Sequence, residues 1–279
     1  MSNGMNVFRK SGLYIIYLLV AFIFIGPIIY LFVASLKSDT QIISDMSSLK
    51  GFIPYGNLSF ENYKSVLTTM DFTRYFSNSV IVTLCTVLFG TIINAMIGFS
   101  LGMLNFKGKK LLISIVIALT IIPTEAVIIN RLMITAELNL LNTMAALILP
   151  SMAYPSYIFL YYTHFRGMPK ELLEAAIMDG SGYIRSFFKI FLPLSKPIVA
   201  TVAIMAFIRT WGDLLWPTLV LRDDSLRTLP LVLRSLFNSE YMQWGEIFAF
   251  GAMTTLPTLV IFMIFQKQFI QSVASSGIK

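Results

Sequence analysis

Long apolar stretches dominate the hydrophobic pattern of the chain, and shorter polar segments separate them. A helix rises about 1.5 Å per residue, so about 20 apolar residues cross the hydrocarbon core of a bilayer while satisfying their own backbone hydrogen bonds. We predict a spanning helix for each stretch of this length: 13–36, 80–104, 111–134, 143–162, 197–220 and 247–265. The pattern therefore predicts an all-α polytopic membrane protein with six transmembrane helices.

The composition agrees with a membrane protein. Of 279 residues, 56% are hydrophobic and 13% are charged, whereas soluble globular chains carry about 25% charged residues. This scarcity of charge argues against a water-soluble enzyme and against a disordered chain. Cys85 is the one cysteine and His164 the one histidine, so the sequence excludes a disulfide and predicts no metal site.

The distribution of Lys and Arg predicts that both termini are cytoplasmic. With this orientation the inner segments carry twelve basic and three acidic residues, and the outer segments carry eight basic and nine acidic residues. Basic residues concentrate on the cytoplasmic side of membrane proteins. The net charge of +7 therefore marks a face next to membrane lipid, and we expect no nucleic-acid partner.

The loop 163–196 is the longest and most basic of the inner segments. Pro169 suits a first helical position and Gly180 suits a helix C-terminus, which predicts a helix of about ten residues, and Ser181 can cap a second helix. An apolar stripe should run along the first helix on Leu172, Leu173, Ala176 and Ile177. So short a helix must pack on something to be stable. The sequence leaves two surfaces for this packing: the ends of the chain's own helices, or a partner protein.

The stretch EAAIMDGSGYIRSFFKIFLPL, residues 174–194, resembles the EAA signature of the membrane subunits of bacterial ABC importers. The signature positions are Glu174, Ala175, Ala176, Asp179, Gly180, Ile190, Leu192 and Pro193. The resemblance implies that 169–193 forms a coupling loop, whose helix docks into a groove on a cytoplasmic ATPase. The resemblance also implies that the eight signature residues couple this chain to the ATPase.

Further stretches resemble the MalG-like subunit of carbohydrate importers of the maltose type. They are FSNS at 76–79, FKGK at 106–109, LLNT at 140–143, WGDLLWP at 211–217, RTLPL at 227–231 and QKQFI at 266–270. The chain departs from the usual pattern at 129–132, where INRL stands in place of Ile-Pro-Leu-Tyr. The resemblance implies one transmembrane domain over 1–279, with the core permease region at about 76–270.

The function implied by this resemblance is import of a sugar, with an oligosaccharide as the expected solute. The chain would form the path together with a homologous MalF-like permease subunit in the bacterial inner membrane, and an extracytoplasmic solute-binding protein would deliver the sugar. No GxxxxGK[ST] motif occurs in the sequence, so it has no P-loop for ATP. We therefore expect no cofactor on this chain, no enzymatic activity, and ATP and Mg²⁺ on two partner ATPase subunits.

Several ionisable residues fall inside the predicted spans. Glu125 and Arg209 lie at similar depths, roughly 21 and 18 Å from the cytoplasmic ends of their helices. Arg209, Asp213 and Trp216 follow the i, i+4, i+7 spacing of one helix face. Charged residues within a membrane usually face a cavity or one another, so these four are candidates for the translocation path. An Arg209–Asp213 pair that only stabilises the fold is the alternative, and Arg131 is expected to snorkel to the membrane interface.

Other functions remain open on the sequence alone. In an ion-coupled secondary transporter Glu125 and Asp213 could serve as coupling carboxylates, but no inverted repeat is evident. A membrane-embedded hydrolase needs a nucleophile and a base at matching depth, and His164 lies at the end of a span instead. An ABC importer permease for a non-sugar solute is the third alternative.

Overall fold

The computed structural model describes residues 2–238 and 242–277, and the side chains of 13–238 and 242–266. Its α-helices are α1 (Ser2–Ala34), α2 (Asp39–Asp45), α3 (Glu61–Thr69), α4 (Phe72–Met103), α5 (Lys109–Ile121), α6 (Ile128–Glu137), α7 (Met144–Ile148), α8 (Pro155–Arg166), α9 (Glu171–Met178), α10 (Tyr183–Ser186), α11 (Leu192–Leu194), α12 (Lys196–Trp211), α13 (Leu215–Val220), α14 (Leu229–Leu236) and α15 (Trp244–Gly277). Short 3₁₀ turns cover Leu49–Phe52, Thr124–Val127, Leu149–Ser151 and Asp224–Leu226, and a π-helical turn covers Phe187–Phe191. The described part of the chain contains no strand. The all-α class is confirmed, and Glu240 and Lys279 of the charge count lie outside the described residues.

Four helical segments are long and apolar enough to cross a membrane: Leu13–Ala34, Phe72–Met103, Met144–Arg166 and Trp244–Gln266. Two further candidates are bent pairs, Lys109–Ile121 with Thr124–Glu137 at 102° and Tyr183–Leu194 with Lys196–Trp211 at 85°. The first bend lies at Pro123, where a ring without an N–H group interrupts the helix. The predicted helix 197–220 is wrong as a continuous element, because α12 ends before Gly212 and α13 begins at Leu215.

The chain forms two compact units, Met1–Arg74 with Val232–Pro257, and Tyr75–Leu231 with Thr258–Lys279. The first unit buries an ion pair. Lys37 is 1% exposed, and its Nζ donates to Asp45 Oδ2 at 3.0 Å and to the carbonyl of Lys50 at 2.8 Å. The ammonium also lies over the ring of Tyr55 at 4.7 Å, and the Tyr55 hydroxyl donates to Asp45 Oδ1. That hydrogen bond and then the contacts with Lys37 lower the pKa of Asp45, although burial opposes them.

The core of the second unit forms where α4 packs on α8. A Cβ at Gly98 would lie 2.3 Å from Tyr161 Cβ, and one at Gly102 would lie 2.8 Å from Phe165 Cβ, so both positions require glycine for this close approach. Phe99 of α4 contacts rings that follow α10, with centroids 5.4 Å from Phe187 and 4.9 Å from Phe191. The loop 163–196 is therefore anchored to α4 and α8 by an aromatic cluster.

Candidate coupling loop and intramembrane charge cluster

A helix, α9, forms where the sequence of the loop predicts one, and it ends in a turn that needs glycine. Gly180 has a φ angle of +77°, which residues with a Cβ rarely adopt. Its N–H donates to the carbonyl of Ile177 at 2.9 Å, and the N–H of Ser181 donates to Ala176 at 2.9 Å. This Schellman arrangement satisfies the last carbonyls of the helix. The helix begins at Glu171, two residues later than the proline position suggested.

The second helix of the loop does not begin with a serine cap. Gly182 is the residue before α10 and provides no side-chain hydrogen bond to the helix. Ser181 instead accepts a hydrogen bond from the hydroxyl of Ser186 at 3.1 Å. The expected capping role of Ser181 is therefore wrong.

Only part of the predicted apolar stripe of α9 is buried in this chain. Leu173 and Ala176 are 6% and 5% exposed, and Leu173 belongs to the aromatic cluster. Leu172, Ile177 and Met178 are 37%, 43% and 81% exposed. The helix is therefore fixed to the chain along one side and presents uncovered apolar side chains elsewhere.

The signature residues fall into two groups by their contacts. The exposed group is Glu174, Ala175, Asp179, Gly180 and Pro193. Ala176 is buried, and Ile190 and Leu192 pack against the aromatic cluster. The second group therefore contacts the core of its own chain, and only the first group has the exposure that direct contact with an ATPase needs.

Two arginines from different candidate spans converge on one serine. Arg131 of α6 donates from Nη2 to Ser151 Oγ at 2.8 Å, and Arg209 of α12 donates from Nη2 to the carbonyl of Ser151 at 3.1 Å. That carbonyl is free because Pro155, four residues later, has no N–H group with which to close a helical hydrogen bond. The side chains of Arg131 and Arg209, with Ser151, Asp213, Trp216 and Tyr154, are called the charge cluster below.

Both guanidinium groups of the charge cluster lie over aromatic rings. Arg131 lies 4.0 Å from the ring of Trp216, and Arg209 lies 4.3 Å from the ring of Tyr154. The Trp216 indole donates to the carbonyl of Ala146 at 2.9 Å, which Pro150 leaves free in the same way. Cation–π contacts of this kind stabilise a cation that has lost its water.

Asp213 is placed differently from the sequence-based expectation. Its Oδ1 accepts from the backbone N–H of Trp216 at 3.2 Å, which fixes the start of α13. Among the residues that the structure describes, no ion pair joins Asp213 to Arg209, although its charge acts on both Arg131 and Arg209. The proposed stapling of one helix by this pair is therefore not observed.

The surroundings of the other path candidates also differ from the sequence-based expectation, while their role in the path stays a prediction. Glu125 lies on the 3₁₀ turn between α5 and α6, where it is exposed and accepts from the Thr124 hydroxyl at 3.2 Å, so it does not compete for Arg209. Trp216 is 2% exposed, and Arg131 covers its ring, so it presents no free aromatic face. Arg131 belongs to the charge cluster through its hydrogen bond to Ser151, and its snorkelling to the membrane interface stays a prediction.

Sequence reasoning did not identify Asn94, which fixes the backbone beside the charge cluster. Its Nδ2 donates to the carbonyls of Gly90 at 2.6 Å and Met152 at 2.8 Å, and its Oδ1 accepts from the N–H of Tyr154 at 2.9 Å. A buried amide within an apolar span was the available signal, because such a group must find hydrogen-bond partners. Asn94 thus fixes the position from which Tyr154 contacts Arg209.

The family model for "Binding-protein-dependent transport system inner membrane component" matches residues 94–275. The chain belongs to this family. It is therefore a membrane permease subunit of a binding-protein-dependent importer, and the resemblance to the membrane subunits of bacterial ABC importers is confirmed. Family membership removes the ion-coupled transporter and the hydrolase from the alternatives.

Known relatives agree with this assignment along nearly the whole chain. The arabinooligosaccharides transport system permease protein AraQ of Halalkalibacterium halodurans is 31% identical over 261 residues, which are 93% of each chain. The sn-glycerol-3-phosphate transport system permease protein UgpE of Yersinia enterocolitica is 28% identical over 278 residues, 98% of each chain. These relatives are transport subunits and not enzymes. A chain from the crystal structure of a bacterial ABC transporter involved in alginate import has a TM-score of 0.80 and 21% identity, covering 93% of this chain and 96% of that one, which shows a common fold.

Proposed function

We propose that this chain is a permease subunit of an ATP-driven saccharide importer, with an oligosaccharide as the expected solute. A homologous MalF-like subunit completes the path, two ATP-binding subunits hold ATP and Mg²⁺, and an extracytoplasmic binding protein delivers the solute. The family description supports these partners, and the relative named for arabinooligosaccharides supports a saccharide. The relative named for sn-glycerol-3-phosphate keeps a non-sugar solute as the alternative.

The chain spans the bacterial plasma membrane six times in this proposal. Four spans are the four apolar helical segments described above, one is the pair bent at Pro123, and one is α12, which follows the bend at Ser195. The charge asymmetry of the sequence supports cytoplasmic termini and a cytoplasmic loop at 169–193. The bends would leave backbone groups unpaired in lipid, so their placement next to a path or a partner subunit is the favourable one.

The observation that carries the coupling role is the exposed apolar surface of α9. Leu172, Ile177 and Met178 are uncovered on a helix whose other side is packed in the aromatic cluster. An ATPase groove would bury these side chains. Because Leu173 fixes α9 to α4 and α8, a displacement of the docked helix moves the spans as well, which is what alternating access requires.

Gly180→Val tests the coupling role. Valine at a φ of +77° strains the turn after α9 and changes the direction of the docking surface, so we expect ATP hydrolysis to be uncoupled from uptake while membrane insertion is normal. Ala175→Trp, on the exposed side, should act in the same way by blocking the groove. Gly108→Val is the matched control, since Gly108 also has a positive φ of 85° and open space around it. Wild-type ATPase co-purification and uptake in the first two variants would remove the coupling assignment.

Cysteine labelling tests the orientation. In a Cys85→Ser background, single cysteines at Lys50, Gly108 and Asp224 all replace exposed residues. We expect a membrane-impermeant maleimide to reach positions 50 and 224 from outside and position 108 only after permeabilisation. Labelling of position 108 in intact cells would exclude cytoplasmic termini with six spans.

We also assign the charge cluster to the translocation path. The support is physical: charges within a span are costly unless they face water, a solute or another subunit. Glu125, exposed at the bend of the third span, is a further path candidate.

A further inference from the structure

The charge cluster carries more positive than negative charge. Arg131 and Arg209 donate to the same serine, so two like charges lie close together, and Asp213 is the carboxylate of the charge cluster. Arg131 comes from the third candidate span, and Arg209 from the fifth. The repulsion is therefore maintained by the fold, and among the described residues of the charge cluster two guanidinium groups share one carboxylate.

The guanidinium groups also have more donors than acceptors. Each group has five N–H bonds to donate, and the acceptor observed for each is Ser151, through its hydroxyl for Arg131 and its carbonyl for Arg209. The Nε atoms of Arg131 and Arg209 are buried without an acceptor. Aromatic faces attract the charge of a cation but accept few of its hydrogen bonds. An anion with several oxygens supplies both the missing charge and the missing acceptors.

A second observation from the sequence concerns Arg131. Arg131 stands within the INRL segment, where the resemblance identifies a departure from the usual Ile-Pro-Leu-Tyr. The departure introduces a cation into a span, which is unfavourable unless the cation has a use. Arginine presents a planar fork that binds a carboxylate or phosphate through two parallel hydrogen bonds.

We propose that Arg131 and Arg209 bind an anionic group on the transported solute, so that the importer prefers acidic saccharides, whose anion is a carboxylate or a phosphate ester, over neutral ones. This inference rests on the proposed function, because it needs the charge cluster to line a saccharide path. An oxyanion seated between the two guanidinium groups relieves their repulsion. When the solute leaves the charge cluster, its contact with the guanidinium groups is lost. Asp213 is then the group of the cluster that offsets their positive charge.

The test compares uptake of solutes that differ only in charge. The complete importer with its binding protein is reconstituted, and uptake of a galacturonic acid trisaccharide is compared with that of a galactose trisaccharide and of a sugar phosphate. We expect the acidic probes to be preferred at least about tenfold, which corresponds to roughly one bidentate charged contact. Comparison of the galacturonic acid trisaccharide with the sugar phosphate shows whether the bound anion is a carboxylate or a phosphate ester.

Arginine variants connect the preference to the charge cluster. Arg131→Gln and Arg209→Gln should each reduce uptake of the acidic probe about tenfold more than uptake of the neutral probe, whereas Arg209→Lys should retain part of the preference. Arg74→Gln, an exposed arginine in the first unit, is the control and should change neither.

The outcomes distinguish this inference from the function on which it rests. Uptake of no saccharide at all, with ATP-dependent uptake of an unrelated solute, removes the proposed function. Uptake of neutral saccharides only, or equal losses for acidic and neutral probes in both arginine variants, overturns the preference while leaving saccharide import in place. Loss of co-purification with the second permease subunit in these variants assigns the arginines to a subunit contact and overturns the proposal as well.

Discussion

Lys37 in the first unit and the arginine pair in the second unit are both largely withdrawn from solvent, but their partners differ. Lys37 has one carboxylate, one carbonyl and one aromatic ring around it, and Asp45 has a second donor in Tyr55. Arg131 and Arg209 share Ser151 and one more distant carboxylate, and their Nε atoms have no acceptor. Within the described part of the chain, the hydrogen-bonding partners of the first site are present, whereas the second site lacks acceptors for both Nε atoms.

This difference separates a structural site from a candidate functional one. A buried ion pair with every hydrogen bond made fixes the local backbone, and removal of one partner leaves the other charge buried alone. A cluster of buried charges that lacks counterions and hydrogen-bond acceptors is energetically unfavourable. A ligand or partner that supplies them can stabilise it. We therefore expect changes in the first unit to affect stability and changes in the charge cluster to affect transport.

Lys37→Met should cause the largest effect on stability. Asp45 would remain buried without its cation, and we expect the melting temperature of the purified importer to fall by more than about 5 °C. Adding Asp45→Asn should recover part of the loss, because it removes the unpaired charge. Arg74→Met changes the same charge at a side chain that is 55% exposed and should have little effect. Equal melting temperatures for Lys37→Met and Arg74→Met would contradict the structural role of the pair.

Asp213→Asn should give the largest effect on transport at normal membrane insertion. Asparagine keeps an oxygen for the N–H of Trp216 but removes the carboxylate that acts on both guanidinium groups. Couplings between neighbouring charges are about 0.5–3 kcal/mol, so we expect ATP-dependent uptake to fall about tenfold. Adding Arg131→Gln restores the charge balance and should recover part of the activity. If the double variant shows only the product of the two single losses, the two side chains act independently.

The smallest expected effect is the pH dependence of the Lys37 site. The pKa of Asp45 is lowered from its ordinary value of 3.8, so its stabilising contribution is present above that value and is lost as the pH falls from it to the folded pKa. Tyr55→Phe removes the hydrogen bond that is the largest cause of the lowered pKa of Asp45. The pH range between the ordinary and the folded pKa then becomes narrower, and less stability is lost across it. Pepsin cleavage in 37–55, followed between pH 4.5 and about pH 2, should therefore rise more steeply in the wild type than in Tyr55→Phe. Identical pH profiles would show that this hydrogen bond does not control the site.

The helices and the loop could be predicted because they depend on local pattern. Apolar runs long enough to span a bilayer give helices whatever their neighbours are, since a backbone in lipid must pair with itself. The turn at Gly180 follows from a glycine after a short amphipathic helix. The break of the third span also has a local cause, because Pro123 cannot donate to the helix before it.

The charge cluster could not be predicted, because its acceptors are made by one segment and its donors come from distant ones. Pro150 and Pro155 free the carbonyls of Ala146 and Ser151, but the sequence does not say which donors will reach them. Arg131 and Arg209 lie 20 and 58 residues away from Ser151. Helical spacing suggested instead that Arg209 would pair with Asp213, four residues along the same predicted helix. The chain ends α12 at Trp211, which breaks that spacing, and the tertiary packing of three spans then decides which charges meet.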